Sequence, residues 1–128
     1  MLYECAAGAV VGTVCGFNMQ GAGTTGGFNR DHTTGLEARL IAEVSRASLH
    51  LTRQEASELM PDLMKGYIDT LTEPNRGRPF AEVYNVDAVQ PTDEWLDIYY
   101  TVKEEISRLG LKFEYAPRPN TQKGDNAY

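Results

Sequence analysis

Metal-binding and redox residues are scarce in this chain: 128 residues hold two histidines and two cysteines. No C-x-x-C pair occurs, and Cys5, Cys15, His32 and His50 have no zinc-site spacing. No metal site is therefore expected. The two thiols read as buried and reduced, since a free cysteine behaves as a small apolar residue in a cytoplasmic protein. Basic charge is also in deficit, with 12 Lys and Arg against 18 Asp and Glu and a formal net charge of −6. An acidic chain without a basic cluster argues against nucleic acid and against an anionic membrane as partners. Long hydrophobic runs are missing too. The apolar stretch from Cys5 to Phe17 has 13 residues, short of the roughly 20 that cross a bilayer. Glu4 precedes it and the first basic residue is Arg30, which does not fit a secretory signal. The expected setting is cytoplasmic, with no membrane.

What is present reads as one domain by length, over residues 1–113, followed by a polar, Pro/Gly/Asn-containing segment at 114–128 that is expected to be a disordered tail. Residues 3–17, YECAAGAVVGTVCGF, carry small apolar groups on every side, the pattern of a helix buried all round. Gly8, Gly12 and Gly16 recur at i, i+4 and i+8, which suits close approach of a neighbouring backbone. Residues 18–27 predict a short strand entering a loop. Thr34 with Glu37 and Thr52 with Glu55 each spell a capping box. The first opens a helix with Leu36, Leu40, Ile41, Val44, Ala47 and Leu51 at helical spacing. The second opens one with Leu59, Leu63, Met64, Tyr67, Ile68 and Leu71, and Pro61 inside it predicts a kink or a break. The stretch NRGRPFAEVYNVDAVQP reads as a connector with one helical turn after Pro79. Thr92 caps a last helix with Trp95, Ile98, Tyr99, Val102, Ile106 and Leu109 on its face, ended by Gly110 with Leu111 placed for a Schellman contact. Met60 and Met64 read as core filler, and Tyr99 and Tyr100 as ordinary core and surface positions.

The inventory amounts to about four helices and at most one or two strands; one strand cannot form a sheet, and a two-stranded hairpin is marginal. The pattern is that of the end of a larger α/β structure. Gly21, Gly23 and Gly26 spell G-x-G-x-x-G as GAGTTG, but the dinucleotide fingerprint needs a strand directly before it and a helix opening at its last glycine. Here the next helix opens near Thr34, eight residues after Gly26. A nucleotide cradle is not expected. In a parallel α/β barrel a strand-to-helix loop lies on the catalytic face, which gives the loop a role without phosphate.

TTGLEARLIAEVSRA, followed in order by FAEVYNVDAVQPTDEWLDIYYTVKEEISRLGLKFE, resembles the carboxy-terminal end of the monomethylamine methyltransferases of methylotrophic methanogens and related bacteria. The similarity runs from Leu2 to Glu114. It implies a carboxy-terminal fragment of a (β/α)8 TIM barrel, mostly helical as it stands, with NMQGAGTTG as the final strand and the start of its loop. It further implies an enzyme that transfers the methyl group of monomethylamine to the Co(I) of a cognate corrinoid protein. The corrinoid (cobalamin) is carried by that partner and no cofactor is bound by this chain. The family's pyrrolysine, encoded by an in-frame amber codon, lies upstream of the matched part, so no catalytic residue carries over. The long loop over residues 21–33 is expected at the barrel mouth where the corrinoid enters, with Gly23, Thr24, Thr25, Asp31 and His32 as candidate contacts. His32 and Asp31 otherwise read as an exposed loop histidine and a turn residue. The family also implies a homo-oligomer for the full-length form.

Two readings follow. The chain is part of a methyltransferase, inactive in isolation, or it is a stand-alone, non-enzymatic helical module that binds a partner. Under the first reading the helix at 3–17 is expected to be the weak point of the isolated chain. Val10, Val11, Val14 and Phe17 would lack the cover of a complete barrel, leaving the chain prone to aggregation or oligomeric through that face.

Overall fold

The computed structural model describes residues 1–19, Gly21, Thr24, Gly27 and 31–114. Its centre is a helix with almost no polar side chains. Helix α1 runs Leu2–Val14, with Ala6, Ala9 and Val10 completely buried. The small side chains let two helices pack on it closely. These are α2, Gly35–Ala47, and α3, Arg53–Met64. The expected extension of α1 to Phe17 does not form. Gly16 adopts φ +75, its amide bonds the Thr13 carbonyl at 3.1 Å, and the Phe17 amide bonds the Gly12 carbonyl at 2.8 Å. This is a Schellman ending, which needs a left-handed residue just past the helix.

Three other expectations for this segment are corrected. Only Cys5 is buried; Cys15, just past the last turn, is exposed. Val10 is fully covered, whereas Val11 and Phe17 are 40% and 68% exposed. Among the described residues no neighbouring backbone uses the glycines. A Cβ on Gly8 would meet nothing within 4 Å, and one on Gly12 would meet the Met19 side chain. Burial of α1 comes from its alanines, not from its glycines. Asn18 and Met19 have no strand geometry, while Gln20, Ala22, Gly23, Thr25 and Gly26 lie outside the described residues. Among the described residues nothing therefore realises the expected strand.

Both capping boxes form as the sequence predicts. Thr34 and Thr52 each accept from the helix start, and Glu37 and Glu55 reach back to the cap amides. Leu36, Leu40, Ile41 and Val44 of α2 face the core with Ala56, Leu59 and Leu63 of α3. Helix α3 stops three residues past Pro61, so Ile68 and Leu71 lie outside it and exposed, in and just past a 3-10 turn, Ile68–Thr70. The missing Pro61 amide removes one rung of the helical ladder.

The single turn after Pro79 is α4, Phe80–Val83. It leads into a ribbon not foreseen in the connector. Strands β1, Tyr84–Asn85, and β2, Gln90–Pro91, are antiparallel with Tyr84 opposite Pro91 and Asn85 opposite Gln90. The Asn85 side chain closes the turn by accepting from the Ala88 amide at 3.1 Å. Thr92 then caps α5, Asp93–Arg108. Tyr99 and Ile106 are fully buried, Leu111 is 1% exposed beyond Gly110, and Ile98 is 38% exposed. The described part is thus mostly helical, and its sheet is this one short ribbon. The expected tail falls outside the described residues from 115 onward. No helix among the described residues is long and apolar enough to cross a membrane.

Candidate functional site

A cavity of about 350 Å³ opens where the starts of α1, α2 and α5 converge. Thr34 organises one wall. It is 5% exposed and its hydroxyl serves three partners. It gives its hydrogen to Glu37 Oε2 at 2.5 Å. It accepts from the Leu36 amide at 3.2 Å and from the Trp95 indole N–H at 3.0 Å. The capping box thus also fixes the indole of a helix 61 positions away in sequence. Glu37, 1% exposed, faces the cavity with its carboxylate held by the Thr34 amide at 2.9 Å.

Tyr3 lines the same cavity. Its hydroxyl donates to Glu105 on α5, and its pKa is pushed up to about 12 by burial first, then by that hydrogen bond and by the negative charge. Gly66 lies against this ring so closely that any Cβ would run into it. A glycine is required there by contact and not by backbone angle.

Of the loop candidates, His32 also lines this cavity. Its Nδ1 lies 2.6 Å from the Arg76 carbonyl oxygen. A carbonyl only accepts, so Nδ1 carries a hydrogen. The loop histidine expected to be exposed is half-buried, with its ring against the Arg76 carbonyl. Asp31 is an exposed turn residue, as expected, and its carbonyl receives the Phe80 amide at 2.8 Å. Thr24 is 3% exposed. Its hydroxyl and its carbonyl each accept from the Gly27 amide at 3.2 Å, so it folds into its own turn. Gly23 and Thr25 lie outside the described residues. The structure brings His32 to the cavity and does not bring Thr24 there.

A second polar cluster ties α2 to α5 beneath the surface. Glu43, 8% exposed, receives Arg39 at 2.9 Å, the Tyr99 hydroxyl at 2.8 Å and Lys103 at 2.6 Å. Burial alone would raise the Glu43 pKa. Hydrogen bonds from Lys103, Tyr99 and Arg39 outweigh it and hold the carboxyl below its ordinary value. Tyr99 is pushed up by burial and by Glu43. Lys103 also sits 5.0 Å from the Phe113 ring centre, and the Arg39 guanidinium lies 5.7 Å from that of Tyr99. Sequence reasoning treated Tyr99 as plain core and missed the cluster. The available signal was one charge of each sign, Glu43 and Lys103, sitting inside an apolar helical stripe. Met60 is half-buried against the core, as expected of filler, and Met64 is half-buried. Among the described residues no three His, Cys, Asp or Glu side chains gather as a metal site would need.

The cavity can hold a side chain or a small molecule, and the cluster can hold two helices in register. Neither displays a nucleophile with its base. Comparison with known proteins gives the context. Residues 1–111 match the family described as Monomethylamine methyltransferase MtmB. The chain is similar to monomethylamine methyltransferase MtmB2 of Methanosarcina barkeri, 32% identical over 113 residues, covering 88% of this chain and 25% of that protein. It is similar to MtmB of Methanosarcina mazei at 30% identity with the same coverage. The crystal structure of Methanosarcina barkeri MtmB superposes with a TM-score of 0.80 at 31% identity, over 88% of this chain and 25% of that one. The structure of the hydroxylamine MtmB complex gives the same values. The chain therefore spans about a quarter of the length of the curated relatives it matches.

Proposed function

The chain belongs to the monomethylamine methyltransferase MtmB family, and on that premise we propose that it works as the carboxy-terminal part of a (β/α)8-barrel enzyme that moves the methyl group of monomethylamine to the Co(I) of a cognate corrinoid protein. The observation that carries this reading is the joint agreement of sequence and shape: 31% identity and a TM-score of 0.80 across 88% of the chain. The relatives named above are methyltransferases, which favours this reading over a stand-alone partner-binding module.

The chemistry explains why such an enzyme needs both a barrel and a helical flank. An alkylamine is a poor methyl donor, so the amine has to be held in place in its protonated form, so that its C–N bond breaks and ammonia leaves as the methyl group passes to the Co(I) delivered by the partner. The mouth must admit a second protein. In this reading the loop over 21–33 borders that mouth, with Gly23, Thr25, Asp31 and His32 as contacts for the incoming corrinoid protein. Thr24, the fifth candidate contact, is buried and accepts from the Gly27 amide. The helical part described here braces that loop: α4 fixes it at Asp31, and the connector fixes it at His32. The full-length enzyme is proposed to be cytoplasmic and homo-oligomeric, to act in methylamine metabolism leading to methanogenesis, and to have no nucleic acid partner.

The test is the DNA upstream of the Met1 codon together with the activity of its product. An open frame coding for barrel strands, read across an amber codon, is expected. Its product should methylate a Co(I) corrinoid protein with monomethylamine, while the 128-residue chain alone should not. A promoter, a ribosome-binding site and stops in every frame immediately upstream would overturn the reading. So would methyl transfer by the chain alone.

A further inference from the structure

Glu37 is buried in a way that its capping role does not require. A capping glutamate works at the surface: Glu55 of α3 makes the same bonds with Thr52 and is exposed. Glu37 is 1% exposed, and both bonds it takes from Thr34 fall on Oε2, so the cap does not use Oε1. Among the described residues no lysine, arginine, histidine or amino terminus forms an ion pair with it. Glu43, the other buried glutamate of α2, gives the contrast, with Lys103 at 2.6 Å. A buried charge is ordinarily paired, and the space that Glu37 faces is where a partner would enter.

That space has the size and the lining of a small-molecule site. Its volume of about 350 Å³ lies within the roughly 300–1,000 Å³ of ligand pockets. Leu2, Tyr3, Trp95, Ile98 and Val102 give it an apolar and aromatic wall. The two basic side chains on the wall are engaged elsewhere, Arg78 with Glu94 at 3.1 Å and His32 with the Arg76 carbonyl at 2.6 Å. Aromatic faces attract cations as well as apolar groups. An anion would be repelled by Glu37, and a neutral apolar molecule would leave the carboxylate without a counter-charge.

We propose that this cavity binds a small primary amine in its protonated form, with an apolar chain or ring behind the ammonium. The ammonium pairs with Glu37, and the apolar part fills the space between Tyr3, Trp95 and Ile98. Methylammonium is not the ligand, since its one methyl group would leave most of the cavity unfilled. The site takes no part in methyl transfer, and the proposal does not rest on the function proposed above.

The probe is phenethylammonium, added to the 128-residue chain and followed by calorimetry and by the fluorescence of Trp95, the sole tryptophan. Saturable binding is expected, about tenfold or more tighter than that of 2-phenylethanol, the neutral molecule of the same shape, because hydrogen bonds to charged groups are the stronger kind. Methylammonium and phenylacetate should each bind about tenfold or more weakly than phenethylammonium. Glu37→Gln keeps the reach of the capping box and should erase the preference for the ammonium over the alcohol. Ile98→Arg sets a cation on the wall at a position 38% exposed. It should weaken phenethylammonium by about tenfold or more, which tests the location even where Glu37→Gln lowers stability. The absence of a saturable signal overturns the proposal. So does equal affinity for ammonium and alcohol, or an affinity that Ile98→Arg leaves unchanged. Nα-acetyl-lysine amide carries the same ammonium on a peptide. If it binds more tightly than phenethylammonium, the occupant is a side chain of another protein and the small-amine proposal falls.

Discussion

The Tyr99 hydroxyl of α5 donates to Glu43 Oε2 of α2 at 2.8 Å, on the same oxygen that Lys103 reaches at 2.6 Å. One carboxylate oxygen thus joins two helices through a neutral donor and a cation, with Tyr99 completely buried. Tyr99→Phe keeps the ring and removes one hydrogen bond to a charge, so it should cost about 2 kcal/mol. Glu43→Ala should cost more, about 3–5 kcal/mol, because Lys103 is left buried and unpaired. Replacing the pair together, Glu43→Leu with Lys103→Met, should cost less than Glu43→Ala alone. Urea melts of the three variants beside the natural chain check the order.

The same cluster sets a pH dependence. Glu43 is lowered in the folded state, so folding favours its charged form. Its contribution is complete above the ordinary glutamate value, about 4.3, and is lost as pH falls through the depressed folded value. Stability measured from neutral pH downward should therefore fall more steeply for the natural chain than for Glu43→Gln. Parallel curves would mean that Glu43 is not held in its charged form by the fold.

Thr34→Ala should be costlier than Thr52→Ala. An N-cap threonine is worth about 1 kcal/mol, and that is the cost expected at Thr52, which is exposed and bonds only within its own capping box. Thr34 is buried and also accepts from the Trp95 indole at 3.0 Å. Its loss should leave that N–H without its partner, for a total of about 2–3 kcal/mol. Trp95 is the sole tryptophan, so a shift in its fluorescence should accompany Thr34→Ala and not Thr52→Ala.

The legible parts of this fold are those that local chemistry decides. Caps at Thr34, Thr52 and Thr92, and the stop at Gly110, depend on a few adjacent residues and were read correctly. Membership of the family was also legible, because two stretches agree in order. The Gly16 stop was overlooked, although Gly16 and Phe17 are the very residues a Schellman ending uses. Long-range choices were not legible. Nothing local says that Val10 is covered and Val11 is not, since both lie in the same apolar run. Pairing of Glu43 with Tyr99 spans 56 positions, and the anchoring of His32 by the Arg76 carbonyl spans 44. Those contacts are set by how helices cross.

GAGTTG should not bind NAD, FAD or ATP. The helix that would receive the phosphates at its start opens at Gly35 behind its own Thr34–Glu37 cap, well past Gly26. The cap places a carboxylate where a phosphate would need to sit. Titration of each nucleotide, followed by calorimetry, should give no saturable signal in the micromolar range, and a micromolar site would contradict this.

Helix α1 should be the best-protected part of the chain on one side and its most vulnerable on the other. Ala6, Ala9 and Val10 are fully buried against α2 and α3, so their amides should exchange only on global unfolding, together with those of Leu40 and Val44. On this side the alanines admit two helices at close range, while Val11 and Phe17 stay exposed, as the sequence-based expectation of a weak helix has it. The amides of Asn18 and Met19, exposed just past the Gly16 stop, should exchange quickly. The same split should appear in stability. Val10→Ala removes two buried methyl groups and should cost about 1–3 kcal/mol. Val11→Ala, at a position 40% exposed, should stay within about 0.5 kcal/mol in the isolated chain. Equal losses at the two positions would place Val11 in a core that the described residues do not build, and would point to self-association of the isolated chain through that face.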